Sequence, residues 1–143
     1  MATKVNNRKR LSLPRKSDIA RHWASQEIEG NPLVEKIHRS VSWDWGEPSC
    51  WACGLTPLTA MSGQTADEID YRGGQEDLFT CWNRAKFLER CHIVPDSRGG
   101  SNKPENLLLL CKSCHREAPD SMNPIFMAKW VINRPSRFLE ELN

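Results

Sequence analysis

In SDIARHWASQEI the apolar residues Ile19, Trp23 and Ile28 fall roughly on one face of a helix, with Ser17 placed as its N-cap and Gly30, Asn31 and Pro32 placed to end it. A second helix is expected from Leu33 to Val41, where Leu33, Val34, Ile37 and Val41 keep helical spacing. In DLFTCWNRAKFL, Leu78, Cys81, Trp82, Ala85 and Leu88 recur at steps of three and four, the pattern of a short amphipathic helix; Cys81 on that apolar face reads as buried filler. The pattern then changes. LERCHIVP reads as an extended run stopped by Pro95, DSRGGSNKPEN as a loop and LLLLC as an apolar strand, together an irregular hairpin. SCHREA starts a helix directly after it, and PIFMAKWVINR predicts one more before Pro135. The two N-terminal helices are expected to pack onto the region of the cysteines.

Other stretches carry no such pattern. Residues 1–16 are rich in Asn, Arg and Lys, contain Pro14 and lack apolar periodicity, so a disordered arm is expected there. From Gly46 to Gly74 the chain is turn-rich: EPSCWACG predicts a tight loop and GQTADEIDYRGG a polar surface loop, neither with much core of its own. With 143 residues, 27% of them charged, the chain suits one globular domain of modest core plus a short arm. The longest uninterrupted apolar run, Leu107 to Leu110, is far short of a membrane span, and MATKVNNRKR offers no secretory signal. An intracellular, cytoplasmic protein with no membrane partner is expected.

Charge adds a class of partner. The net charge of +2 hides an asymmetry, because Lys4, Arg8, Lys9, Arg10, Arg15 and Lys16 put +6 on residues 1–16 and leave −4 on the rest. Within that rest, residues 84–116 hold seven basic side chains against Glu89, Asp96 and Glu105. A basic arm beside a basic patch is what a phosphate backbone attracts, through release of its counterions. Taken singly, each run also fits a solvated tail or face.

Six cysteines without a secretory signal point to metal ligands or buried thiols rather than to disulfides. Cys50 and Cys53 form one CxxC pair, Cys111 and Cys114 another, and 57 residues separate the pairs. Zinc accepts four thiolates in a tetrahedron, each pair presented by a tight knuckle. Such a zinc is structural, since four protein ligands leave no open position, and it would tie the poorly cored loop at Cys50 to the strand and helix at Cys111 to Cys114.

That set leaves His92 and His115 unused. His115 could replace its neighbour Cys114 in the zinc shell, since zinc also takes nitrogen. Alternatively the histidines form a second site: if the hairpin folds back, His92 on its first strand faces His115 at the start of the helix, with Asn106 between them. At this point ERCHIVPDSRGGSNKPENLLLLCKSCHRE resembles the HNH endonucleases, through HIVP, the GGS loop, PENLLLLC and CxxCH in order and at the family's spacing. The likeness covers residues 89–117, and CWACG extends it to the zinc-bound HNH form. Residues 1–45 and the C-terminal tail lie outside it.

The resemblance implies an α+β fold, a small ββα-metal (His-Me finger) core stapled by a four-cysteine zinc site and flanked by helices. The expected division of the chain is a disordered basic arm at 1–16, an N-terminal helical extension at 17–45, a zinc-bound nuclease domain at 46–134 and a tail at 135–143. The implied activity is metal-dependent hydrolysis of DNA phosphodiester bonds, with His92 as general base, Asn106 orienting it or holding the hairpin, and His115 as ligand of a catalytic ion. An imidazole can take the proton of the attacking water, and Mg²⁺ or Mn²⁺ suits the charge on the phosphate and the leaving oxygen. The expected products are a 5′ phosphate and a 3′ hydroxyl. One position departs from the family. Many members carry a metal-binding aspartate immediately before the first histidine, and here it is Cys91. As a ligand, Cys91 would shift metal choice toward Mn²⁺, Ni²⁺ or Zn²⁺, or weaken catalysis. Glu89, two residues away on the same side of a strand, is an alternative oxygen ligand.

Arg90, Arg98, Lys103, Lys112 and Arg116 flank the histidines and are candidate phosphate clamps, though each also fits a solvated surface charge. Trp82 and Trp130 fall on apolar helical faces and are expected in the core; Trp43, Trp45 and Trp51 surround the first cysteine pair, where packing is favoured over stacking on a base. The competing function is a non-catalytic zinc-bound nucleic-acid-binding module with a degenerate HNH site. Cutting both strands would require a homodimer or successive nicking, and a further possibility is the nuclease subunit of a larger assembly. The bacterial or phage setting fits the family, while NRKRLSLPRK also resembles a nuclear-import signal.

Overall fold

Residues 13–41, 45–56 and 78–136 are described by the computed structural model of the chain. The expected surface loop GQTADEIDYRGG, Trp43 and most of the expected basic arm and C-terminal tail lie outside the described residues. The order of elements is α1 (Lys16–Ala24), α2 (Pro32–Ser40), a 3₁₀ turn (Leu78–Arg84), β1 (Leu88–His92), β2 (Leu107–Cys111), α3 (Lys112–Glu117) and α4 (Pro124–Asn133). It is an α+β arrangement in which one antiparallel hairpin, β1 paired with β2, is surrounded by helices.

The hairpin explains the leucine run. Leu107, Leu108, Leu109 and Leu110 are all fully buried. Successive residues of a strand point to opposite faces, so four buried in a row require cover on both faces of the sheet. Helix α3 packs on both strands and α1 on β2. Each leucine removed from water in this way contributes about 2 kcal/mol. The register sets Leu88 opposite Cys111, Cys91 opposite Leu108 and His92 opposite Leu107.

A cluster of indoles forms the rest of the core. Trp51 is fully buried, with its ring centre 6.3 Å from that of Trp23, 6.1 Å from Trp45 and 5.9 Å from Trp82. The Trp82 Nε1–H donates to the Trp45 carbonyl at 2.7 Å, and that of Trp23 to the Leu107 carbonyl at 2.8 Å. Cys81 is buried and donates to the Gly46 carbonyl. Trp130 is only half-buried at the edge, with the Arg134 guanidinium 5.0 Å above its ring.

Several element bounds differ from the sequence expectation. Helix α1 is capped by Arg15 rather than Ser17, which is buried within the first turn and donates its backbone N–H to Asn83 Oδ1. Lys16 therefore belongs to α1 and not to an arm, and its ammonium donates to the Ala85 carbonyl at 2.8 Å. The same helix ends at Ala24, leaving Ile28 exposed. Asn31 and Pro32 serve as start signals for α2: the Asn31 side chain accepts from Val34 N–H, and Pro32 occupies a position whose missing N–H costs nothing. The stretch around Cys81 and Trp82 is a 3₁₀ turn rather than an α-helix.

The loop of the hairpin depends on Asn106 and Gly100. The Asn106 amide donates to the carbonyls of Val94 and Ser101 and accepts from the Val94 N–H at 3.0 Å. A Cβ on Gly100 would lie 1.7 Å from the Val94 carbonyl oxygen, a backbone atom that cannot move without opening this clasp. Gly100→Ala is expected to lose about 2–3 kcal/mol of stability, read as a lowered midpoint in urea denaturation. An unchanged midpoint would show that the loop has another conformation available.

Candidate functional site

The first cysteine pair is presented by a tight turn. Cys50 N–H donates to the Leu55 carbonyl, Gly54 N–H to the Cys50 carbonyl, and Gly54 takes the left-handed φ of 78° that such a turn needs. Trp51 N–H then docks the turn on β2 through the Leu109 carbonyl. The second pair lies where β2 ends and α3 begins, so the turn and the strand end meet.

The Sγ atoms of Cys50, Cys53, Cys111 and Cys114 all lie within 4.8 Å of one another, and all four residues are buried. Cys53 Sγ and Cys111 Sγ are 3.8 Å apart. The edge of a tetrahedron with zinc–sulfur bonds of ~2.3 Å is ~3.8 Å, so the donor set fits a zinc ion in both chemistry and size. Burial pushes the Cys50 thiol far up, while hydrogen bonds from Cys114, Cys50 and Cys53 pull the Cys111 thiol down. Four thiolates around a divalent ion carry excess negative charge, and two cations face it. The Lys36 ammonium acts electrostatically on Cys50, Cys53 and Cys114, and Arg134 hydrogen-bonds Cys114 while pairing with Glu117 at 2.7 Å.

The two histidines do not join this cluster. Instead His92, at the end of β1, and His115, on α3, line one cleft of about 210 Å³ together with Cys91, Asp96, Asp120 and Met127. His92 Nε2 is 2.8 Å from Asn102 Oδ1. An amide oxygen only accepts, so Nε2 carries the proton and the lone pair of the neutral ring sits on Nδ1. The hydrogen bonds of the Asn106 amide go to the loop backbone, at Val94 and Ser101, rather than to the His92 ring. The residue that orients the first histidine is therefore Asn102, which sequence reasoning missed because a polar side chain inside a glycine-rich loop has no periodicity to reveal its direction.

His115 Nδ1 is 2.8 Å from Glu89 Oε1. Cys91 is 3% exposed, and its thiol is pushed up to about 12 by burial and by the Glu89 carboxylate. At neutral pH it is a protonated thiol beside the histidines.

None of the five basic residues lines the cleft. Arg98, at its rim, pairs with Asp120 at 3.6 Å, both side chains being well exposed. Arg90 points elsewhere and donates to the Pro14 carbonyl at 2.9 Å, fastening the segment before α1. Lys103, Lys112 and Arg116 are exposed around the loop and the helix.

A two-stranded hairpin and one helix that bring two histidines to a cleft, stapled by four cysteines able to bind zinc, define a domain of the ββα-metal class. Residues 80–120 match the protein-family model for HNH endonuclease, a match that points to a nuclease-type or nucleic-acid-acting function. No curated protein and no solved structure matches the chain. Among the described residues no helix is long and apolar enough to cross a membrane.

Proposed function

We propose that the chain is a metal-dependent endonuclease that hydrolyses DNA phosphodiester bonds in the cleft between β1 and α3, with a structural zinc at Cys50, Cys53, Cys111 and Cys114. The observation that carries this reading is the pair of histidines in one cleft, one of them with its protonated nitrogen already engaged. With Nε2–H held by Asn102, the Nδ1 atom of His92 is the free base. As the water oxygen bonds to phosphorus, Nδ1 accepts the water proton. The bond from phosphorus to the 3′ oxygen breaks and that oxygen takes a proton from solvent water, leaving a 5′ phosphate and a 3′ hydroxyl. A divalent ion such as Mg²⁺ or Mn²⁺, held by His115, would supply charge stabilisation at the phosphate and the leaving oxygen. Asn106 acts at one remove by fixing the loop that carries Asn102. The exposed cations Arg98, Lys103, Lys112 and Arg116 are proposed to steer the backbone toward the cleft.

The buried thiol of Cys91 favours a second reading, a zinc-bound nucleic-acid-binding module without catalysis. The two separate on supercoiled plasmid in a panel of Mg²⁺, Mn²⁺ and Ni²⁺. The nuclease reading predicts conversion to nicked or linear DNA with at least one ion; salt-sensitive binding with no nicking under any ion supports the binding module instead.

A further inference from the structure

Cys91 stands where the family resemblance places a carboxylate, and its sulfur is both soft and nearly sealed from solvent. A hard ion at His115 needs oxygen from elsewhere. We propose that Glu89 supplies the oxygen ligand of that ion, with Glu89 Oε1 and His115 Nδ1 as neighbouring positions of its coordination shell. The inference rests on the nuclease reading above.

The fold makes the placement a consequence of register. Glu89 lies opposite Leu110, one residue before the end of β2, and α3 starts directly afterwards, so the turn of α3 that carries His115 comes back over Glu89. The two atoms are 2.8 Å apart. Adjacent ligands of an octahedral ion with bonds of ~2.1 Å are separated by ~3.0 Å, so the pair needs little movement to share one ion. Both side chains reach water, Glu89 at 41% exposure and His115 at 39%, whereas Cys91 is at 3%. Among the described residues the four cysteines are the only cluster of three or more metal-binding side chains. A glutamate and a histidine therefore leave most of the shell to water and phosphate oxygens, the arrangement Mg²⁺ favours because it dehydrates reluctantly.

A merely structural role, in which Glu89 accepts a hydrogen bond from His115, is separable by substitution. Glu89→Gln keeps an oxygen acceptor for Nδ1–H and removes the charge an ion requires. The test is titration of the zinc-loaded full chain with Mn²⁺, following free Mn²⁺ by electron paramagnetic resonance. Zinc content and the thermal transition check that each variant is folded. Glu89→Gln is expected to weaken Mn²⁺ binding at least about tenfold, Glu89→Asp to recover part of it, and Cys91→Ala to bind as the unaltered chain does. Unchanged affinity in Glu89→Gln overturns the proposal, as does loss in Cys91→Ala alone. In either case plasmid nicking by the unaltered chain leaves the nuclease reading standing. An unaltered chain that neither takes up Mn²⁺ nor nicks plasmid removes both.

Discussion

Stripping the metal from Cys50, Cys53, Cys111 and Cys114 is expected to unfold the chain. The turn at Cys50 to Cys53 is joined to β2 by one backbone hydrogen bond, from Trp51 N–H to the Leu109 carbonyl, and by the four sulfurs. Trp51, carried on that turn, is the buried centre of the indole cluster that α1 and the 3₁₀ turn pack around. Releasing the turn therefore exposes the core as well as the cysteines. Structural zinc contributes about 10 kcal/mol or more in small domains, comparable with or larger than the whole stability of a domain of this size. Without the ion, four buried sulfurs must also share their space with only the hydrogen bonds among them to offset their burial. Incubation with a strong chelator should abolish the cooperative thermal transition and shift tryptophan emission to the red, with re-addition of zinc restoring both. Cys53→Ala should behave like the chelated protein, and elemental analysis should find one zinc per folded chain. A transition that survives complete chelation would show that the cysteines pack without a metal.

The second large effect is on catalysis alone. His92→Ala is expected to slow DNA cleavage by roughly 10²–10⁴-fold, the range associated with losing a positioned general base. Zinc content and thermal transition should barely change, because His92 is half-buried at the end of β1 and the clasp of the loop belongs to Asn106 rather than to His92. The contrast with Cys53→Ala is the useful part. One substitution removes activity through the fold and the other leaves the fold while removing the base. If His92→Ala cleaves at the unaltered rate, the proton of the attacking water goes elsewhere.

Much of this arrangement was readable in the residues. Two CxxC pairs in a chain with little core around the first pair pointed to a shared zinc, and the structure brings those four sulfurs together. LLLLC read as an apolar strand, and the structure buries it on both faces, with α1 and α3 as the cover. Legibility failed where tertiary contacts override local pattern. Ile28 falls roughly on one face with Ile19 and Trp23 in the sequence, yet the helix stops at Ala24, and Asn31 and Pro32 begin the next one. Arg90 sits among the basic residues near the histidines, but strand geometry turns it toward Pro14. Asn102 and Asn106 are indistinguishable by residue type, and only the closed loop shows that one holds a backbone and the other a histidine ring. Glu89 could be assigned to one side of β1 from the alternation of a strand, but its partner there is fixed by where α3 begins.

Hydrolysis of phosphodiester bonds by water attack is proposed for the cleft between His92 and His115. The most direct measurement is to incubate the zinc-loaded protein and its His92→Ala variant with supercoiled plasmid and Mn²⁺, then treat the nicked product with DNA ligase. The unaltered chain is expected to leave nicks carrying a 5′ phosphate and a 3′ hydroxyl, resealed by ligase without prior treatment, and the variant almost none. Equal nicking by both proteins, or ends that ligase cannot join, would contradict it.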